Sequence, residues 1–255
     1  MMSKVPEVTV YFWVTKVLTT GMGETASDYL THRLDPVVAV GLGGVGLVVS
    51  LALQFAVRRY VAWIYWLAVV MVSIFGTMAA DVLHVGMGVP YLVSTAVFLV
   101  ALTVIFAAWY ASERTLSIHS IHSRRRELFY WATVLTTFAL GTAAGDMTAS
   151  TMGLGYLGSG IMFAVIFAVP AVAHRWFGLN AIVAFWLAYI VTRPLGASFA
   201  DWMAAPHHRG GLDWGFGTVS IGWTVAIIGF VGYLSTTRTD VEDEAESSRP
   251  VTRQA

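Results

Sequence analysis

The sequence predicts an all-α integral membrane protein with eight transmembrane helices, arranged as four parallel two-helix repeats. Two observations carry this prediction. First, 57% of the 255 residues are hydrophobic and 12% are charged, whereas soluble domains have about 25% charged residues. Second, apolar runs long enough to cross a hydrocarbon core of about 30 Å recur along the whole chain, and one residue motif recurs with them.

Eight apolar segments are predicted to cross the membrane, and residues 1–235 are expected to form one transmembrane domain. Short links such as residues 58–60 join the segments, so neighbouring segments should run antiparallel. The longest link, residues 112–128, is expected to be an amphipathic surface segment, and the charged tail 236–255 to be disordered. The approximate spans are 9–30, 36–57, 61–83, 89–110, 128–148, 155–173, 179–203 and 214–234.

Basic residues predict the orientation of these spans. On the opposite side to the N-terminus, the predicted loops carry only Arg33 and Arg209. Because cytoplasmic loops carry the excess of Lys and Arg, both termini are expected in the cytoplasm, which agrees with an even number of spans. The basic residues on the N-terminal side are Lys4, Arg58, Arg59, Arg114, Arg124, Arg125, Arg126, Arg175 and Arg238.

A four-part motif, [FY]-W-x9-G-x4-D, occurs once in every second span. Trp and Gly are ten positions apart in each copy, and Gly and Asp are five apart. The following span is rich in glycine each time, so the chain divides into two-span repeats at about 8–58, 60–111, 127–175 and 179–235. Repeats with an even number of spans share one orientation. The copies are Phe12-Trp13-Gly23-Asp28, Tyr65-Trp66-Gly76-Asp81, Tyr130-Trp131-Gly141-Asp146 and Phe185-Trp186-Gly196-Asp201.

The Trp and Gly positions are expected to serve packing, whereas the aspartates are unfavourable choices. Each Asp lies near the C-terminal end of a helix, where the helix dipole disfavours a negative charge. A carboxylate near the bilayer centre costs about 2.5–3.5 kcal/mol on insertion scales. Four repetitions of such a choice indicate a cation ligand or a hydrogen-bonding role. The structural alternative is that each Asp caps the loop that follows its helix.

Other charged and polar residues accompany the aspartates inside the spans. Glu24 adds a fifth carboxylate, and Lys16 and Arg193 are the two cations, so the net charge within the spans is −3 if all are ionised. Oxygen ligands suit hard ions such as Mg²⁺, Ca²⁺ or Mn²⁺. Hydroxyls beside the motif glycines are candidate supporting ligands, namely those of Thr25, Thr77, Thr142 and Ser198.

Lys16 and Arg193 allow two interpretations. Each could form a structural ion pair with a carboxylate of another repeat, or act as a tethered cation that competes with a transported ion. Pro194 follows Arg193, and proline breaks or kinks helices. Since broken helices mark binding sites in transporters, residues 192–201 are predicted to be the main discontinuity of the chain.

The histidines give a weaker indication of function. Some follow the motif carboxylates closely and could gather a transition metal or sense pH, although ordinary loop residues are the simpler interpretation. His119 and His122 are too few to indicate a metal site by themselves. The histidines near the carboxylates are His32, His84, His207 and His208.

Several short segments resemble a bacterial family of multi-pass proteins labelled "uncharacterised membrane-anchored protein". These are KVPEVT (4–9), GETASD (23–28), WYASERTLSIH (109–119), GTAAGD (141–146) and TRPLGAS (192–198). The resemblance extends from Lys4 to about Leu234. It implies a location in the bacterial cytoplasmic membrane and carries no established activity.

The leading functional hypothesis is a transporter of a small cation, with a divalent metal ion such as Mn²⁺ as substrate and protons as a candidate coupling ion. The five carboxylates would bind the ion, and Lys16 and Arg193 would balance their charge. The expected partners are the lipid bilayer and the cation, and a homo-oligomer is compatible with the sequence. The zero net charge gives no indication of nucleic acid, and the chain has no cysteine for thiolate ligation.

Two other classes remain open at this stage. Parallel repeats around an axis could form a cation channel with a ring of carboxylates. The chain could also be a structural or sensory membrane protein that engages a partner or anionic lipid through residues 112–128. An enzyme is not expected, because no nucleophile-and-base set or recognised catalytic motif is visible.

Overall fold

The computed structural model describes residues 3–240, apart from the side chain of Val85, and these residues form helices without any strand. The predicted disorder of residues 241–255 lies outside this part of the chain. Four short helical turns, Val82–Gly86, Ile118–Ser120, Met147–Thr151 and His207–Arg209, accompany eight long helices. The long helices are α1 (Val10–Arg33), α2 (Pro36–Ala56), α3 (Ala62–Asp81), α4 (Tyr91–Glu113), α5 (Arg124–Asp146), α6 (Gly155–Phe177), α7 (Ala181–Ala204) and α8 (Phe216–Thr237).

Seven of the eight long helices are long and apolar enough to span a membrane, which makes the chain a multi-pass membrane protein. The exception is α1, whose sequence contains Lys16, Glu24 and Asp28. This helix nevertheless packs against α3, α7 and α8 in the middle of the bundle. Its neighbours therefore cover the polar side chains that lower its hydropathy.

Local sequence signals set the start of several helices. Asp35 accepts a hydrogen bond from the backbone N–H of Val37 at 2.9 Å, and Pro36 fills the first position of α2. Asn180 caps α7 in the same way, accepting from the N–H of Ile182 at 2.9 Å. A capping oxygen satisfies N–H groups that have no partner within the helix, and proline is suited to that first turn.

The four motif helices form a closed inner ring in the order α1, α3, α5, α7 and back to α1. Their aromatic residues repeat one contact around the ring. The aromatic residue before each motif Trp packs on the Trp of the next repeat, with centroid separations of 5.7, 5.7, 6.2 and 5.6 Å. The pairs are Phe12–Trp66, Tyr65–Trp131, Tyr130–Trp186 and Phe185–Trp13. We call this end of the ring the aromatic end.

The motif glycines repeat a second contact around the ring. A Cβ atom added at any of them would collide with the residue seven positions after the Trp of the next repeat. Glycine therefore allows adjacent inner helices to approach closely. The pairs are Gly23 with Ser73, Gly76 with Phe138, Gly141 with Arg193, and Gly196 with Thr20. Because both sets of contacts close after four steps, the inner helices are parallel and related by a pseudo-fourfold axis.

The second helix of each repeat packs mainly on the inner helix of the next repeat. α2 lies against α3, α4 against α5, α6 against α7, and α8 against α1. Contacts between the two helices of one repeat are far fewer, as between α1 and α2. Each repeat therefore covers its neighbour's inner helix, and no repeat can bury its apolar surface alone.

The link between α4 and α5 has the amphipathic character that its sequence predicts, but its apolar side is buried more deeply than at a surface. It spans residues 114–123, and Ile118 and Ile121 lie in the aromatic core with 3% and 0% of their surface exposed. Trp186 Nε1 donates a hydrogen bond to the carbonyl of Leu116 at 2.9 Å. The apolar residues of this link insert beneath the aromatic end, whereas His119 and His122 remain exposed.

The predicted discontinuity at Pro194 is also wrong. α7 continues unbroken through Pro194. Pro194 packs against Gly145 of α5: a Cβ atom added to this glycine would lie 3.8 Å from Cα and Cβ of the proline. Close packing on glycine keeps the proline-containing turn in register. The irregular geometry lies elsewhere: α3 and α5 change to π-helix directly after Asp81 and Asp146. π-Helical turns are often found at functional sites.

The first residues of the predicted tail are ordered. α8 continues to Thr237, and Asp240 accepts a hydrogen bond from the Tyr60 hydroxyl at 2.5 Å. The backbone carbonyl of Asp240 also accepts from the N–H of Glu7 at 2.9 Å. Burial raises the pKa of Tyr60, and the neighbouring Asp240 raises it further. The predicted disorder therefore does not begin at residue 236.

Candidate functional site

Arg193 lies at the centre of the inner ring, fully buried. Its Nη2 atom is within hydrogen-bonding reach of Glu24 Oε2, Thr77 Oγ1 and Thr142 Oγ1, the last at 2.7 Å. Its Nη1 atom donates to the backbone carbonyl of Thr20 at 3.2 Å. The Arg193–Glu24 contact is an ion pair between repeats four and one. One guanidinium thus joins oxygens from three other repeats.

The three side chains that meet Arg193 Nη2 occupy the same position in their repeats. Glu24, Thr77 and Thr142 each follow the motif glycine directly, and the fourth repeat has Ala197 there. Residues at equivalent positions of a pseudo-fourfold ring face its axis at the same level. An atom that contacts three of them therefore lies at the axis. We call these three residues and Thr20 the oxygen ring.

Three carboxylates converge beside the oxygen ring. Glu24, Asp146 and Asp201 each offer an oxygen within 4.8 Å of the others. Asp201 is 8% exposed, and its Oδ1 atom has no hydrogen-bond partner among the described residues. Like charges this close need a compensating cation, protons or hydrogen-bond donors. This cluster marks the acidic end of the inner ring.

The five predicted carboxylates are therefore not equivalent. Asp28 and Asp81 stand outside the close group of three, although their intermediate exposure is shared by Asp146 within it. Within residues 3–240, no motif aspartate uses its carboxylate to accept a hydrogen bond from a backbone N–H of the loop that follows its helix. The arrangement does not support loop capping as the reason for their repetition.

Lys16 occupies a very different environment. Its Nζ atom lies 3.8 Å from the ring centroid of Phe138 and 4.3 Å from that of Tyr189. The side chain is buried, and among the described residues its Nζ has no hydrogen-bond acceptor. Cation–π attraction contributes about 2 kcal/mol at a desolvated site. Lys16 therefore forms no ion pair with any described carboxylate.

The predicted supporting hydroxyls divide into two pairs. Thr77 and Thr142 contact Arg193, as described above. Thr25 instead donates to the carbonyl of Gly21 in its own helix at 3.2 Å. Ser198 is at the position equivalent to Thr25, two residues after its glycine, and is likewise not in contact with Arg193 within the described structure. Only the hydroxyls directly after the glycine face the axis.

Sequence reasoning missed Thr20, Phe138 and Tyr189. Thr20 and Phe138 are at the same repeat position as Arg193, seven residues after the motif Trp. Aligning the four repeats at that position would have placed them near the axis. Tyr189 is at the position equivalent to Lys16, three residues after its Trp. The repeat itself carries this signal, because these uncharged residues share their repeat positions with Arg193 and Lys16.

The histidines do not gather at the acidic end. His32 Nδ1 is 2.6 Å from the carbonyl of Asp28, and its ring stacks on Phe216. His84 contacts Ser94, and His207 is hydrogen-bonded to a backbone carbonyl of its own loop. The potential metal-binding group found within residues 3–240 contains carboxylates and no histidine.

The fold and its axis thus define a multi-pass membrane protein built from four equivalent two-helix units. The chain matches the family described as Repeat of Unknown Function (DUF347) four times, over residues 11–60, 64–115, 129–179 and 184–240. These matches cover most of the chain, which therefore belongs to that repeat family. The predicted fourfold repetition is confirmed. No curated protein and no solved structure matches the chain.

Proposed function

We propose that this protein transports a small cation across the membrane, and that a divalent metal ion such as Mn²⁺ is its substrate. The observation that carries the proposal is the convergence of Glu24, Asp146 and Asp201 within 4.8 Å inside a bundle of membrane-spanning helices. Carboxylates in such a place are costly and are usually functional. Their oxygens suit a hard divalent ion.

The charge balance supports a divalent substrate. Glu24 is paired with Arg193 in the described structure. Asp146 and Asp201 remain as two carboxylates without a salt bridge among the described residues. Two negative charges neutralise one divalent cation. Asp28 and Asp81, which are partly exposed at the same end, would attract the ion towards the group of three carboxylates.

A carrier fits the geometry better than an open pore. The Arg193 side chain crosses the axis of the inner ring and contacts residues from three other repeats. Aromatic side chains such as Tyr65 and Tyr130 fill the same axis at the aromatic end, with their hydroxyl oxygens 2.5 Å apart. A cation could pass only if these groups move, which is the behaviour of a carrier rather than of a permanently open channel.

The proposal includes the orientation that the basic residues predict. The aromatic end would face the cytoplasm of a bacterial cell, and the acidic end would face outward. Proton coupling follows from the same residues, because carboxylates that release a cation can accept protons in its place.

The test is cation binding and uptake with purified protein. Isothermal titration with Mn²⁺ would compare the wild type with D146N and D201N, and with D28N and D81N as the outer carboxylates. D213N is the matched control, because Asp213 is an exposed loop aspartate. We expect D146N and D201N to weaken binding by at least about tenfold. Unchanged binding in both variants would reject the site.

Flux in proteoliposomes then separates the remaining classes. Saturable Mn²⁺ uptake that follows an imposed proton gradient supports a proton-coupled carrier. Ohmic single-channel currents would favour the channel instead. Absence of both flux and binding would favour a structural or sensory protein.

A further inference from the structure

We infer that Arg193 is a tethered substitute for the transported cation, and that the arginine and the ion alternate as the partner of Glu24, the carboxylate shared by the oxygen ring and the group of three carboxylates. This inference rests on the proposed function and specifies how its site is regulated. It starts from the position of Arg193 Nη2, which contacts equivalent side chains of the first three repeats. The pseudo-fourfold axis passes through that point.

The oxygen ring has the composition of a cation site. A carboxylate, two hydroxyls and a backbone carbonyl surround the guanidinium, contributed by Glu24, Thr77, Thr142 and Thr20. Mixed oxygen sets of this kind bind hard metal ions. Here their lone pairs face N–H donors of Arg193 instead. A metal ion and the guanidinium on the same oxygen of Glu24 repel each other in a low-dielectric site, so that binding of one weakens binding of the other.

The hydrogen-bond network around the Arg193 guanidinium leaves one acceptor and one donor without partners among the described residues. Asp201 Oδ1, in a residue that is 8% exposed, has no hydrogen-bond partner among the described residues. Arg193 Nε is equally buried and likewise lacks a partner within residues 3–240. A buried ion pair that serves stability alone is expected to have its donors and acceptors satisfied. An orphaned carboxylate oxygen that adjoins an arginine pair indicates a place for a further positive charge.

The route of the Arg193 side chain is built into the repeat. A Cβ atom at Gly141 would collide with Cβ and Cγ of Arg193 and lie 2.9 Å from Cδ of Pro194. The motif glycine of the third repeat therefore leaves the passage through which the arginine reaches the axis. The other members of this repeat position, Thr20, Ser73 and Phe138, are uncharged. A single cation in one of four equivalent places is what a tethered competitor requires.

The consequence is an exchange between two cations. When a metal ion binds Glu24, Asp146 and Asp201, Arg193 loses its carboxylate partner and must withdraw from Nη2 contact with the ring. When the ion leaves, the guanidinium returns and neutralises Glu24. Arg193 thereby weakens metal binding and speeds release, because it offers the empty carboxylate an alternative partner.

The direct test is Mn²⁺ affinity in R193M by isothermal titration. Competition predicts that R193M binds at least about tenfold more tightly than the wild type, because the ion no longer displaces a cation. R209M is the control: it removes the same charge from an exposed position of the acidic-end loop, and should change affinity by less than about threefold. Unchanged or weaker binding by folded R193M would overturn the inference.

A second comparison applies if the R193M protein does not fold because Glu24 is left buried without a positive partner. E24Q loses a ligand and retains the competitor, so it should bind Mn²⁺ more weakly than the wild type. The double variant E24Q/R193M removes both charges of the ion pair and leaves neither one buried alone. Competition predicts that the double variant binds at least about tenfold more tightly than E24Q. Equal affinities of these two variants would show that Arg193 is purely structural.

The outcomes separate this inference from the proposed function. If the wild type binds no divalent cation and D201N changes nothing, the transport proposal fails. If the wild type binds Mn²⁺ and D201N abolishes binding, while R193M and E24Q/R193M gain no affinity, the site stands and the tethered competitor fails. Tighter binding in R193M, together with slower Mn²⁺ release, supports both.

Discussion

Each half of the inner ring holds one buried basic side chain from a ring helix, and the two are accommodated by different means. Lys16, in the aromatic half, faces the rings of Phe138 and Tyr189 and has no oxygen partner among the described residues. Arg193, in the acidic half, contacts four oxygens. Arginine's planar fork suits several oxygens at once, whereas a lysine is a point charge. The aromatic half is therefore the sealed region, and the acidic half is the region where we propose that Arg193 and a cation exchange.

The aromatic half is closed by contacts that lie outside the motif. Lys4 forms a buried ion pair with Glu127 at the start of α5, and Gln54 Nε2 donates to the same carboxylate at 3.3 Å. The link residue Ile121 accepts a backbone hydrogen bond from Lys4 at 3.2 Å. The N-terminal segment and the α4–α5 link thus cover this end, while Asp28 and Asp81 keep partial exposure at the other.

The largest expected effect on stability comes from breaking the Arg193–Glu24 pair. E24Q leaves the guanidinium buried without a negative partner, which typically costs about 3–5 kcal/mol. Thermal unfolding of the purified protein in detergent, monitored by circular dichroism, should show a correspondingly large fall in Tm. E24Q/R193M should recover most of the loss. A Tm equal to that of the wild type would mean that other groups already neutralise Arg193.

The matching change at Lys16 should behave in the opposite way. K16M retains the length of the side chain and removes a buried ammonium that lacks an acceptor among the described residues. The lost cation–π attraction of about 2 kcal/mol is offset by relief of desolvation, and methionine sulfur also packs well on aromatic rings. We expect an unchanged or higher Tm. A fall as large as that of E24Q would erase the distinction between the two halves.

A smaller effect is expected from filling the arginine passage. G141A places a methyl group against the stem of Arg193, and such overpacking costs about 1–3 kcal/mol. G229A is the matched control on α8, where an added Cβ meets no atom within 4 Å. The control should keep or raise stability, because alanine favours helix over glycine. Equal Tm values for the two variants would show that Arg193 can take another path.

The sequence predicted the helices and the repeat well because both depend on local patterns. Apolar runs predicted helix bounds close to those observed, and the motif identified the inner helices. The sequence-based prediction failed where packing between residues distant in sequence determines the local structure. Pro194 is held in an unbroken helix by glycines of α5, and Ile118 and Ile121 are buried by the closure of the bundle.

The candidate site was predicted only as a set of residue types. The motif alone makes the four aspartates equivalent, whereas packing selects Asp146 and Asp201 and leaves Asp28 and Asp81 outside the close group. The convergence of Glu24 and Arg193 depends on which repeats become neighbours in the ring. Ring order follows from contacts between repeats, and no local pattern within one repeat encodes it.

The smallest expected effect concerns Asp240, which seals the aromatic half through Tyr60. Burial raises the pKa of Asp240 above its usual 3.8, so the folded protein holds the proton more tightly than the unfolded chain. Stability is then fully present below the unfolded pKa and falls as pH rises through the raised one. D240N cannot ionise and still accepts a hydrogen bond from Tyr60. Its Tm advantage over the wild type should grow as the pH rises above about 4, the usual pKa of an Asp side chain. An advantage that is independent of pH would mean that Asp240 is solvated and that this seal is open.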